Sequence, residues 1–379
     1  MHQFAYFTLA FLFYSSCTRS VIATGQFDGV KAEHHHHHHN HNHPQPQQLE
    51  QGQQNGTDNS STKLFVFGDS YADTGNWPST AISWKKPYGI TYPGKPTGRF
   101  SDGLILTDYL ASGIGIDSPV PYNKWKTLGD QKSDLQINGM NFAHGGTGVF
   151  NTLVNQPNMT TQINMFQQLV QEDEVYGTLM QDYWVALVSV AGNDYATFLA
   201  KNGSLQEVPA FTKTILSQLE LNLRRIHGLG VQKVLITGMQ PLGCLPQMTA
   251  LNSHTNCSEA GNSLAIYHNQ MLQESVQKLN NETGGSAFMI LDLYSSFMSA
   301  LEIVDNQAGN STFPYQLTPC CVGSGEGYYC GSVNNLGRKK YNVCEDPTLS
   351  FFWDYIHPTQ QGWEAVYFAL EPSIRDLLK

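Results

Sequence analysis

Charged residues are scarce in this sequence, and basic residues are the scarcest of them. Asp, Glu, Lys and Arg make up 14% of its 379 residues, against about 25% in an average soluble domain. Lys and Arg number 21 and Asp and Glu number 31, which gives a formal net charge of −10. This balance argues against nucleic acid as a partner, because an acidic surface repels polyanions. It favours substrates that are neutral or cationic overall.

Long hydrophobic runs are missing as well. The apolar run at residues 4–14 is well short of the ~20 residues that a membrane-spanning helix needs, and nothing later is long enough. Small or aliphatic residues follow at 21–23, where a signal peptidase would cut, although no Lys or Arg precedes the run. We therefore predict a removable signal peptide over residues 1–23 and no transmembrane segment, with a membrane anchor as the alternative. The protein is then expected to be secreted, with the cell wall as one extracellular destination.

Cysteine is absent between Cys17 and Cys244. The remaining cysteines are Cys244, Cys257, Cys320, Cys321, Cys330 and Cys344. An even number in a secreted chain predicts disulfides, and six cysteines allow 15 pairings. Adjacent Cys320 and Cys321 are poor partners for each other, so we expect local bridges such as Cys244 with Cys257. Zinc ligation is the alternative, but the spacing lacks the paired CxxC knuckles typical of such sites.

Possible glycosylation sites also favour secretion. Seven Asn-x-Ser/Thr sequons occur, some of them expected by chance, at Asn55, Asn59, Asn158, Asn202, Asn256, Asn281 and Asn310.

A low-complexity tract occupies residues 24–62. It contains six consecutive histidines at 34–39, then His41 and His43, and it continues with many Gln and Asn residues. It has no apolar period, so we predict a disordered arm without a catalytic role. Two alternatives stay open: an engineered tag, and an arm that binds zinc or nickel through its imidazoles.

Short apolar runs alternate with helical periodicity after residue 62. Wholly apolar runs predict buried strands at 64–67, 140–143, 184–191, 233–237 and 287–291. Apolar residues three and four apart predict helices at 161–176, 208–228, 259–281 and 359–378. Alternating strands and helices imply a mainly parallel sheet covered on both faces. The predicted fold class is α/β, a three-layer α/β/α sandwich with about five strands.

Polar residues follow several predicted strands, at the edge where parallel sheets bind ligands. Ser70 follows the first strand, and a helix beginning after it would offer backbone amides to a developing negative charge. A glycine pair at 145–146 and Asn193 follow two others, while Asp354 and His357 lie three residues apart. Each has an ordinary structural explanation when taken alone. Together they supply a nucleophile, a base, an acceptor for the base and oxyanion donors.

Motifs along the chain carry a family resemblance. In order they are FVFGDSYADTGN, GRFSDGLILTDYLA, NFAHGGTGVF, VSVAGNDY, ITGMQPLGCLP, a CC…C…C segment and FFWDYIHPT. From residues 64 to 378 the sequence resembles the plant-type GDSL esterases/lipases of the SGNH hydrolase superfamily, so 63–379 is the predicted hydrolase domain. The absence of GxSxG argues against the nucleophile elbow of the other large hydrolase class.

The resemblance implies a role for each of these residues. Ser70 would be the nucleophile, His357 the base and Asp354 its orienting carboxylate. The oxyanion hole would comprise the amides of Ser70 and Gly146 and the side chain of Asn193. One departure is His144, where the family often has a small residue; we expect it to pack against the loop, with control of substrate access as the alternative.

The predicted function is therefore a secreted serine esterase or lipase. Hydrolysis would proceed through an acyl-enzyme and would require no metal or cofactor. The substrate would be a small-molecule, lipid or polysaccharide ester. An acyltransferase with the same triad and a non-catalytic protein that binds acylated ligands are the alternatives. Acyl-chain length and oligomeric state are not predicted.

Overall fold

The computed structural model describes residues 62–128, 137–171, 175–176, 182–302 and 313–377. The predicted signal peptide and the His- and Gln-rich arm, except its last residue, lie outside these ranges. In the part of the chain that is described, no helix is long and apolar enough to cross a membrane.

A parallel sheet forms the centre of the molecule. Its described strands are β1 (Thr62–Gly68), β2 (Val120–Pro121), β3 (Gly139–Asn141), β4 (Tyr183–Ser189), β5 (Lys233–Thr237) and β6 (Phe288–Leu291). They lie in the order β2-β3-β1-β4-β5-β6, with every neighbouring pair parallel. Because β1 is central, its residues 64–67 are fully buried on both faces.

Helices cover the sheet on two sides. Those described are α1 (Leu106–Gly113), α2 (Tyr122–Lys126), α3 (Met159–Gln171), α4 (Gly192–Ala200), α5 (Val208–Gly228), α6 (Pro246–Thr249), α7 (Glu259–Thr283), α8 (Leu293–Glu302) and α9 (Gln360–Leu377). Phe65 and Phe67 of β1 share a core with apolar residues of α3, α5 and α7. Leu64 and Val66 share the opposite core with residues of α1, α8 and α9. Successive strand residues thus face different helix layers, and the predicted three-layer α/β/α sandwich is confirmed.

The differences from the sequence prediction concern short elements. Each of the five predicted strands is present, and its ends differ from the prediction by at most two residues. The sheet has one additional strand that was not predicted, the two-residue β2. The helix predicted at 161–176 is described as Met159–Gln171, and residues 175–176 form a turn. No helix begins after Ser70: residues 69–72 form a turn closed by a hydrogen bond from the Asp73 amide to the Asp69 carbonyl (3.0 Å). The Asp73 carboxylate then accepts the amides of Gly75 and Asn76, which competes with helix propagation.

All six cysteines that follow the predicted signal peptide are paired. The bridges are Cys244–Cys257, Cys320–Cys344 and Cys321–Cys330, so the first confirms the expected local pairing and the zinc-ligation alternative is wrong. The last two staple a small antiparallel hairpin of β7 (Cys321–Gly323) and β8 (Tyr341–Val343).

Candidate active site

The carboxyl ends of three neighbouring strands bring the predicted site residues together. Ser70, Gly146 and Asn193 follow β1, β3 and β4, which are adjacent in the sheet. All three residues line one cavity of about 100 Å³. Its apolar lining includes Leu153, Val154, Met239, Leu242 and Leu245. The site therefore combines polar groups at the sheet edge with an apolar space large enough for part of a small ligand.

A tight approach between β1 and β4 directs Ser70. Gly68 pairs with Ser189, and a Cβ at Gly68 would lie 2.0 Å from the Ser189 carbonyl oxygen. Gly68 also has φ of +147°, a conformation that favours glycine. The Asp69 amide then donates to Ser189 O at 2.9 Å, and the chain turns away from the sheet. Ser70 therefore lies at the end of a strand that only glycine can terminate in this way.

A continuous chain of hydrogen bonds joins Ser70, His357 and Asp354. The Ser70 Oγ lies 2.8 Å from His357 Nε2, and His357 Nδ1 lies 2.9 Å from each Asp354 oxygen. An ionised carboxylate only accepts hydrogen bonds, so Nδ1 carries the proton and Nε2 accepts from the serine hydroxyl. In this arrangement, His357 Nε2 could accept the proton of the Ser70 hydroxyl.

Asp354 stays ionised although it is buried. Burial raises its pKa, but the attraction of His357 and the hydrogen bonds that the carboxylate accepts bring the pKa below its ordinary value. Two of those bonds come from the backbone amides of Ile356 and His357, at 2.9 and 2.8 Å from Oδ1. The Asp-x-x-His spacing thus forms a turn in which the carboxylate caps the amide of its own partner.

Aromatic rings hold the imidazole. The His357 ring centroid lies 5.0 Å from that of Phe100 and 5.8 Å from that of Tyr71. The turn itself is closed by the Trp353 amide, which donates to the His357 carbonyl at 2.7 Å. These contacts restrict rotation of the imidazole, so the fold itself sets its position relative to Ser70 and Asp354.

Two residues that line the cavity, Ser70 and Gly146, have backbone amides with no acceptor among the described residues. Within the described residues, neither the Ser70 amide nor the Gly146 amide donates a hydrogen bond. Gly146 has φ of +74°, which orients its amide in a way that other residues rarely adopt. The Asn193 Nδ2 donates to the Thr147 carbonyl at 2.9 Å and lies 3.4 Å from Asp69 Oδ2. Such donors can stabilise a negative oxygen.

Sequence reasoning missed Asp69. Its carboxylate accepts from the Tyr71 amide at 3.0 Å, and it is buried beside the serine. Burial raises its pKa from 3.8 to about 7. Its position directly before Ser70 was the available signal, but nothing in the sequence indicated how deeply it would be buried.

Two further buried histidines lie outside the hydrogen-bonded chain of Ser70, His357 and Asp354. His144 is buried: its Nδ1 lies 2.8 Å from the Phe142 carbonyl oxygen and its Nε2 lies 3.2 Å from Asn123 Nδ2. Among the described residues it does not line the cavity, which fits the packing role. His268 is also buried, and its Nδ1 lies 2.9 Å from the hydroxyl of Tyr195, which lines the cavity.

Four of the predicted glycosylation sites lie in the described residues. Asn202, Asn256 and Asn281 are exposed. Asn158 is half-buried, and its Nδ2 donates to Asn151 Oδ1 at 2.8 Å. We therefore expect the three exposed asparagines to be the better glycan acceptors. The sites outside the described residues are Asn55, Asn59 and Asn310.

Known proteins are similar to this sequence over most of its length. The family model of the GDSL-like lipases/acylhydrolases matches residues 64–370. One GDSL esterase/lipase of Arabidopsis thaliana is 53% identical over 314 residues, covering 83% of this chain and 87% of that protein. A second is 49% identical over 315 residues, covering 83% and 88%. Acetylajmalan esterase 2 of Rauvolfia serpentina is 30% identical over 349 residues, covering 83% and 91%.

The sequence relatives define the class of the protein, which is a hydrolase that acts on ester bonds. Within that class, the chain belongs to the GDSL-like lipase/acylhydrolase family. The resemblance to the plant-type members of this family is thereby confirmed.

Proposed function

We propose that the protein cleaves carboxylic esters through an acyl-enzyme on Ser70. The observation that supports this most is the hydrogen-bonded chain from Ser70 Oγ through His357 to Asp354, next to the Ser70 and Gly146 amides, which have no acceptor in the described part of the chain. His357 takes the Ser70 proton as Oγ attacks the ester carbonyl, and it then protonates the departing alcohol. Water activated by His357 releases the acid in the second step. Asp354 stays ionised and holds the imidazole throughout.

The oxyanion hole in this proposal is formed by three donors. The carbonyl oxygen becomes negative in the tetrahedral intermediate, and the amides of Ser70 and Gly146 would bind it together with Asn193 Nδ2. Asn193 lies in the first turn of α4, so its side chain is held by a helix rather than by a loop. The apolar lining of the cavity would hold the acyl group or the alcohol.

We further propose that the protein is secreted and that residues 63–379 form its hydrolase domain. Three disulfides support an oxidising compartment, and the apolar run at residues 4–14 supports a signal peptide. Small-molecule, lipid and polysaccharide esters are all within this proposal. Expression in a eukaryotic host, with the N-terminus of the medium protein sequenced, tests it: a start near residue 24 supports secretion, and retention in the cell contradicts it.

A series of chromogenic esters of rising acyl length, hydrolysed by wild type and by Ser70→Ala, tests the enzymatic proposal. Hydrolysis that is lost in the variant supports a serine esterase, and the preferred length indicates the acyl group. Transfer to an added alcohol, with little free acid released, would instead indicate an acyltransferase. Hydrolysis that persists in Ser70→Ala would contradict the mechanism.

A further inference from the structure

The two oxygens of Asp354 have different partners. Oδ1 accepts from the amides of Ile356 and His357, whereas Oδ2 accepts from the hydroxyl of Tyr88 at 2.8 Å. The imidazole Nδ1 is equidistant from both oxygens. Tyr88 therefore supplies the hydrogen bond that balances the backbone amides on the other side of the carboxylate.

Packing fixes the Tyr88 ring. The side chain is 3% exposed, and its ring meets those of Phe100 and Trp353 edge-on, with centroids 6.4 and 6.0 Å away. The next residue, Gly89, donates from its amide to the Ser101 carbonyl, and Ser101 Oγ donates to the Pro358 carbonyl at 3.1 Å. The segment that carries Tyr88 is thus tied to the turn that carries His357.

The two hairpin disulfides pack against Tyr88 and against the residues that precede Asp354. Tyr88 and Trp353 share a buried cluster with Cys320, Cys321 and Cys330. The amides of Cys320 and Cys321 donate to the carbonyls of residues 352 and 353, directly before Asp354, at 2.9 and 2.7 Å. The residues before Asp354 and the ring of its hydroxyl donor are therefore held by one crosslinked unit.

We propose that Tyr88 is a positioning residue, whose hydroxyl fixes the Asp354 carboxylate so that His357 stays aimed at Ser70. The proposal rests on the esterase mechanism above and adds a residue to it. A buried carboxylate that loses a donor becomes a stronger base and is freer to rotate. Tyr88 does not line the cavity in the described residues, so it acts on the chemical step rather than on substrate binding.

Tyr88→Phe removes the hydroxyl and keeps the ring. We expect kcat to fall about tenfold, the lower end of what a hydrogen bond to a charged group contributes, with KM unchanged. The acid limb of kcat/KM should move to higher pH, because a more basic Asp354 holds the imidazolium proton more firmly. Among the described residues, the other titratable groups that interact with this pair are Asp69, beside His357, and Tyr71, beside Asp354; both remain in the variant.

Tyr109→Phe is the matched control. It removes a hydroxyl that donates to the Gln360 carbonyl at 3.0 Å, away from Asp354, so kcat and the pH profile should not change. Incorporation of 3-fluorotyrosine at position 88 keeps the hydroxyl and makes it a stronger donor. It should move the acid limb to lower pH, and it tests the proposal even if Tyr88→Phe does not fold.

Each outcome decides the proposal. Opposite shifts of the acid limb in the two Tyr88 variants support it. An unchanged profile in 3-fluorotyrosine enzyme, or kinetics of Tyr88→Phe equal to wild type, overturns it while the esterase mechanism stands, provided that Ser70→Ala is inactive in the same assay. A wild type that turns over no ester overturns both.

Discussion

The side-chain amide of Asn193 lies beside Asp69 and already donates one short hydrogen bond, to a backbone carbonyl. Its Nδ2 donates to Thr147 O at 2.9 Å and lies 3.4 Å from Asp69 Oδ2, longer than an ordinary N–H···O bond. A developing oxyanion would therefore compete only with a weak contact. The same pair joins the proposed oxyanion donor, Asn193, to a buried carboxyl whose pKa is raised to about 7.

Asn193→Ala tests the oxyanion role. We expect turnover to fall by about 10²–10³, the loss typical of one oxyanion donor, with KM little changed. Steady-state kinetics with a chromogenic ester measure this. Asn281→Ala, at an exposed position in α7, should behave as wild type. An Asn193→Ala enzyme with normal turnover would remove Asn193 from the mechanism.

Asp69→Asn tests the buried carboxyl. Because its pKa in the folded state is raised above that of the unfolded chain, its contribution to stability is present below about pH 4 and is lost as the pH rises through about 7. The full difference corresponds to about 4 kcal/mol. Urea unfolding from pH 4 to pH 8 should show the wild type losing stability relative to Asp69→Asn. A constant difference across this range would contradict the assignment.

His268 should produce the opposite pH dependence. Burial lowers its pKa from 6.5 to about 4, so the folded state holds it neutral. The contribution of neutral His268 to the free energy of unfolding is present above pH 6.5. It is lost as the pH falls towards 4, by about 3 kcal/mol. In urea unfolding, the free energy of unfolding of His268→Gln should therefore fall less than that of the wild type between pH 6.5 and pH 4.

Thr212→Val is the control for that experiment. Thr212 Oγ1 lies 2.8 Å from the Tyr195 hydroxyl, which in turn contacts His268. The variant disturbs the same hydrogen bonds but keeps the imidazole, so its stability should be lower at every pH with the wild-type slope retained. A slope as flat as that of His268→Gln would assign the pH dependence to the network instead.

The two hairpin disulfides should stabilise the protein to different degrees. Cys320–Cys344 spans 24 residues and Cys321–Cys330 spans 9. Chain-entropy arguments give losses of about 3.4 and about 2.6 kcal/mol on removal. Denaturant unfolding of the two paired Cys→Ala variants measures both. Equal losses, or a larger loss from the shorter loop, would show that packing around Tyr88 and Trp353 outweighs chain entropy.

The elements that could be predicted from the sequence are those with long apolar runs. β1, β4 and β5 are buried on both faces and appear in the sequence as unbroken hydrophobic segments. β2 has only two residues, and α4 begins with glycine and carries Asn193 in its first turn, so neither has a periodic signal. Their positions depend on neighbours that a linear pattern does not contain.

Part of the candidate site could likewise be predicted from the sequence, and part could not. Ser70, Asp354 and His357 lie in short motifs and could be predicted. The turn that follows Ser70 could not be predicted. It depends on the Asp73 carboxylate, which accepts hydrogen bonds from nearby backbone amides and so competes with a helix. Tyr88 and Asp354 are 266 positions apart in the sequence, and only the fold brings the hydroxyl to the carboxylate.

The most direct test of the central claim is the mass of the enzyme quenched during turnover of a slowly hydrolysed ester. The mechanism predicts one added acyl group, located by peptide mapping on Ser70, and no addition in Ser70→Ala. An acyl group on another residue, or turnover by Ser70→Ala, would contradict it.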